Sequence, residues 1–156
     1  MRRLTITALA LLAAAALGSS PAAASTPAVA NGGGVGTVTG SEPFSQFGFG
    51  VQFAGDGSAR GHFTCLMAGT AAFPSFEPLM KVDGDVTQGS ADVADGSAEF
   101  TGSGTLNLGP SGRMDARFRV RVTRGGAGVG TLTLTVLDPS FPLPTEHVLR
   151  GRISIG

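Results

Sequence analysis

With 156 residues, 11 of them basic and 11 acidic, the chain carries no net charge, so its overall electrostatics ask for neither nucleic acid nor an anionic membrane. Its 25 glycines, its lack of Trp and Tyr and the absence of a long amphipathic pattern argue against a helical domain. Cys65 is the only cysteine, which excludes an intramolecular disulfide.

The chain opens with Met1-Arg2-Arg3, an apolar run over residues 4–17, and then Gly18-Ser19-Ser20-Pro21-Ala22-Ala23-Ala24. That layout predicts a signal peptide over residues 1–24 and hence a secreted, extracellular protein. Cleavage after Ala24 fits best, and cleavage after Ala30 also fits. Arg2-Arg3 suits ordinary export and twin-arginine export alike. The apolar run falls short of the ~20 residues of a membrane span, so none is expected. Residues 25–34, with Gly32-Gly33-Gly34, read as a flexible leader, and residues 35–156 as a single β-domain.

Residues 35–39 predict a short first strand, broken at Glu42-Pro43-Phe44. Phe47, Phe49, Val51 and Phe53 then alternate with small or polar residues, the period of a half-buried strand. Phe63 and Cys65 continue the pattern after Gly55-Asp56-Gly57. Same-face residues oppose each other if Phe53 pairs with Ala59, Val51 with Gly61 and Phe49 with Phe63. Gly57 then takes the left-handed position of a three-residue loop. The device recurs: Met80, Val82, Gly84 and Val86 form one inner face, and Ala98, Phe100, Gly102, Gly104, Leu106 and Leu108 the next, joined through Ala94-Asp95-Gly96. After Pro110-Ser111-Gly112 come Met114, Ala116, Phe118, Val120 and Val122. Pairing Leu106 with Ala116 sets Gly104 against Phe118, so that a ring covers a residue without a side chain. A turn over residues 125–130 leads to Leu132, Leu134 and Val136. A proline-rich loop over residues 138–147 precedes a last strand with Leu149, Ile153 and Ile155 inward.

These elements predict an all-β domain, a single antiparallel up-and-down barrel of seven or eight strands, with a β-sandwich as the alternative. A meander sorts its loops into two ends. One end collects Phe44, Phe73, Phe76 and Phe141 with most of the prolines. Loops on a rigid scaffold commonly carry binding, so these four are the candidate interaction residues, plugging of the barrel end being the competing role. Arg117, Arg119 and Arg121, with Arg113 and Arg124 near them, form a basic stripe on one strand's outer face. They are candidate anion-contacting residues, against a role in keeping that face soluble.

No Gly-x-Ser-x-Gly elbow occurs. His62 and His147 are expected on the surface. Asp83 and Asp85 share a strand face without the ligand count that calcium requires. No catalytic, cofactor or metal residue is assigned. Cys65 reads as an inert buried thiol, or as one half of an intermolecular disulfide.

Taken together, Phe47-Gly48-Phe49-Gly50-Val51, Asp56-Gly57, Gly61-His62-Phe63, Phe100-Thr101-Gly102-Ser103-Gly104-Thr105, Phe118-Arg119-Val120 and Gly151-x-Ile153-x-Ile155 resemble the small secreted actinobacterial β-domains sometimes called post-COAP domains. The resemblance spans residues ~33–156 and implies an all-β extracellular domain without an assigned activity. The functional expectation is a non-enzymatic extracellular interaction or structural module that meets a cell-surface or protein partner through the Phe/Pro end. The alternative is a barrel carrying a small apolar ligand.

Overall fold

The computed structural model describes residues 27–71, 75 and 77–156; the expected signal peptide lies outside them. Among these residues nine strands follow one another: β1 Ala28–Thr37, β2 Ser45–Phe53, β3 Ser58–Ala68, β4 Leu79–Asp92, β5 Ser97–Asn107, β6 Arg113–Thr123, β7 Thr131–Asp138, β8 Ser140–Pro142 and β9 Glu146–Ile155. Every pairing is antiparallel. The sheet runs β6-β5-β4-β3-β2-β1-β9-β7-β8, and β6 also pairs with β7, so it closes in a ring. The all-β antiparallel expectation holds, and no α-helix occurs among the described residues.

The β2–β3 hairpin shows how alternation sets register. Phe53 opposes Ala59, Val51 opposes Gly61 and Phe49 opposes Phe63, as the apolar spacing requires. Gly57 takes a positive φ of 85° at the turn, and Gly96 does the same at 68° between β4 and β5. The inward residues fuse into one core. Phe63, Phe100 and Phe118 are fully buried, with ring centroids 6.0 Å apart for Phe63–Phe100 and 5.3 Å for Phe63–Phe118. Phe49 adds a ring 5.5 Å from Phe100. Truncating one such ring to Ala typically costs about 3–5 kcal/mol.

Several expectations need correction. The flexible leader over residues 25–34 is strand from Ala28 onward: β1 pairs with β2 from Ala28–Phe53 to Gly36–Ser45, and Ala28 and Ala30 are buried. Short side chains suffice there because Gly32 lies beneath the Phe49 ring. The β5–β6 register is two residues away from the expected one. Leu106 opposes Met114, Gly104 opposes Ala116, and it is Gly102 that opposes Phe118. The connecting loop is longer than the Pro110 turn alone, because Leu108 N–H donates to the Gly112 carbonyl at 2.8 Å around a 3-10 turn. Met114, opposite Leu106 at the end of the inner face, is exposed.

A further correction lies in β9. Val35 pairs with Arg150 but Gly36 with Val148, so Leu149 is an extra residue in the ladder. A bulge of this kind reverses which residues face inward. Val148, not Leu149, is fully buried, and Glu146 turns inside with it. The proline-rich loop is also shorter than expected, since β8 and the start of β9 lie within it. Both occupy the edge of β7 opposite β6. β8 pairs with Thr135, Val136 and Leu137, and β9 with only Thr131 and Leu132. The β6–β7 loop continues that seam. Gly125 and Ile153 exchange two backbone hydrogen bonds of 3.0 and 2.9 Å, and Val148 N–H donates to the Gly130 carbonyl at 2.8 Å.

Candidate functional site

Strand order divides the connections as the meander requires. The β2–β3, β4–β5 and β6–β7 loops lie at one end; the β1–β2, β3–β4, β5–β6 and β7–β9 connections lie at the other. Phe44 and Phe141 both belong to this second end. Phe44 is half-buried, its N–H donating to the Gly36 carbonyl at 2.8 Å. Phe141, on β8 opposite Val136, is half-buried and packs against the core. Phe73 and Phe76 lie outside the described residues. Sequence reasoning missed two apolar side chains on the same rim. Leu79, at the start of β4, is 58% exposed, and Met114, at the start of β6, is 43% exposed. The signals differ: Leu79 alternates outward from the buried Met80, whereas Met114 stands at the end of the inner face of β6.

The same end holds a buried acid. Glu146 is 1% exposed, and its Oε2 accepts a hydrogen bond from the Ser45 hydroxyl at the start of β2. Oε1 has no partner. Gly36 of β1 leaves the space that the carboxyl group fills, since a side chain there would collide with Oε2. Burial pushes the Glu146 pKa up to about 7, with the Ser45 hydrogen bond opposing it. Cys65 of β3 is a free, buried thiol, pushed far up by burial and by the negative charge of Glu146. A thiol held protonated in this way is a packing group rather than a nucleophile. Sequence reading placed Glu146 in a surface loop, because alternation counted back from Ile153 passes through Leu149 without registering the bulge.

The outer face carries paired charges. His62 Nδ1 lies 3.0 Å from Asp85 Oδ1, and Nε2 lies 3.4 Å from Asp83 Oδ1. Lys81 Nζ lies 2.6 Å from Asp83 Oδ2, and this hydrogen bond is the main cause that holds the Asp83 pKa below its usual value. Asp83 and Asp85, which share a strand face, thus flank an imidazole. All four groups are substantially exposed, so the pairings contribute little stability. Among the described residues no group of three or more His, Cys, Asp and Glu side chains is arranged to hold a metal ion.

The arginine stripe is on β6 and faces outward, but it is partly answered. Glu99 of β5 receives Arg121 Nε at one carboxylate oxygen, while Arg119 Nε lies 3.5 Å from the other. Arg117 stands between Ser103 on β5 and Asp138 on β7. Arg124 reaches the Val93 carbonyl at 3.5 Å across the β4–β5 turn. Beyond β7, Arg150 and Arg152 are exposed on β9, and Arg152 lies beside Gly33. Among the described residues no helix is long and apolar enough to cross a membrane. No family model matches the chain, and no curated protein or solved structure matches it either.

Proposed function

We propose that the chain is a secreted, non-enzymatic β-module that contacts a cell-surface or protein partner through its second end. The observation that carries this reading is the placement of Leu79 and Met114. They are the two bulkiest of the exposed apolar side chains among the described residues, and both stand on the rim where the Phe/Pro connections converge. Exposed apolar groups on a rigid rim offer area for contact without a large ordering cost. The non-enzymatic reading rests on dispersal. His62 faces outward, whereas Ser45 and Cys65 are sealed inside with Glu146, so neither of these two groups shares a surface with the imidazole. The carrier alternative finds no support in the interior, where the rings of Phe49, Phe63, Phe100 and Phe118 stand 5.3 to 6.0 Å apart in succession.

The test is partition. The chain is secreted from its own leader, and the fraction retained on washed cells is compared with that in the medium. Leu79→Ser together with Met114→Ser is expected to move the protein into the medium while its thermal melt stays near that of the parent. Equal partition of parent and variant, or a parent found wholly in the medium, overturns the assignment of this rim.

A further inference from the structure

Glu146 stands where the ring is joined most thinly. β9 is held to β1 along nearly its whole length, from Ala30–Ile155 to Thr37–His147. Toward β7 it makes two pairs only, Thr131–His147 and Leu132–Glu146, and the glycine-rich β6–β7 loop supplies the rest. From that corner the Glu146 side chain reaches inward over Gly36 to Ser45, touching β1 and β2 at once. Its surroundings are poor in polarity. β3 presents Cys65, β1 presents Gly36, β2 presents Ser45 and β7 pairs through Leu132, while the adjacent His147 is exposed. Among the described residues no cation faces the carboxylate; the lysine and arginine pairings described above belong to the outer face. An ionised carboxylate with one hydroxyl donor and an orphaned oxygen is costly to bury, whereas a protonated one is neutral and gains a donor of its own.

We propose that Glu146 is a protonation latch on the closing seam of the ring. With its proton the side chain seats the β7–β9–β1 corner; when that proton passes to solvent, the corner loosens and the second end opens. The raised pKa of about 7 places the transition within the ordinary range of extracellular fluids. The sign follows from linkage. In the open corner the carboxyl group reverts toward its ordinary value of 4.5. Between that value and about 7 the closed form holds a proton that the open form has lost, so opening increases with pH and levels off once both forms are ionised.

Hydrogen exchange at fixed temperature, corrected for intrinsic rates, tests this on peptides covering residues 143–150 and 125–132, with the β2–β3 hairpin as internal control. Opening of the seam is expected to grow roughly thirtyfold between pH 5.5 and 8.5, with the hairpin unchanged. Glu146→Gln is expected to abolish the dependence. Should that variant not fold, Ser45→Ala serves: loss of the donor to the ionised form is expected to move the levelling-off to higher pH. A seam whose exchange does not change with pH in the parent chain overturns the proposal. So does a dependence that survives Glu146→Gln, or a levelling-off unmoved by Ser45→Ala.

Discussion

Two glycines separate what the fold demands from what it tolerates. At Gly102 a methyl group would meet Phe118 Cζ at 2.6 Å and would also overlap the Asp85 carbonyl. Gly102→Ala is therefore expected to destabilise the chain by about 1–3 kcal/mol, the cost of overpacking a filled core. At Gly48, on the outer face of β2, the nearest atom is Thr64 Cγ2 at 3.6 Å. Gly48→Ala is expected to be neutral or to add roughly 0.5 kcal/mol by reducing the freedom of the unfolded strand. Denaturant midpoints of the two variants settle the point, and equal midpoints would show that the ring over Gly102 is loose. The sequence signalled the device, an aromatic ring over a glycine, but assigned it to Gly104. The reason is that both glycines lie on the same face, two residues apart, and only the length of the loop before Arg113 distinguishes them. Glu146 escaped detection for a similar local reason. One extra residue, Leu149, reverses the alternation, and nothing in its side chain announces that it will be the one left over.

At the scale of elements, legibility tracked side-chain contrast. β2, β3, β6 and β7 alternate bulky with polar residues, so their inward faces were legible, and for β2 and β3 the pairing followed as well. β1 is rich in Ala and Gly, so the part of it before Val35 looked like a linker; the partner on its other edge, β9, lies far along the chain, which composition does not reveal. The outer face of β6 was legible as a basic stripe, yet its neutralisation was not, because Glu99 is one residue among the alternating positions of β5. Its effect depends on register, which sets it opposite Arg121. The consequence can be measured. If the stripe contacts anionic polymers, Glu99→Gln frees two guanidinium groups and is expected to raise the salt concentration needed to elute the chain from a sulfated polysaccharide resin. Unchanged elution would assign the stripe to solubility and to discouraging edge contacts.

For the whole molecule, closure depends on one strand. β9 supplies Val148, Ile153 and Ile155 to the core and pairs with β1 on one side and β7 on the other. A chain stopped at Thr145 leaves β1 with an unpaired edge and Thr131 and Leu132 of β7 without their partners, and it uncovers the apolar inner faces that β9 covers. Such a chain is expected to lose its cooperative melt and to self-associate, as light scattering would report; a monomeric truncated chain with a sharp melt would show that the ring is dispensable. The pairing that closes it is remote in sequence: the Ser154 hydroxyl donates to the Asn31 carbonyl across 123 positions. Contacts of that span form slowly, because the loop between them must be ordered before they return any stabilisation. A chain emerging with its N-terminus first therefore holds β1 half-satisfied, paired with β2 but open on its other edge, through the synthesis of every strand between. Its period of exposure to wrong partners ends only when the ten residues of β9 arrive.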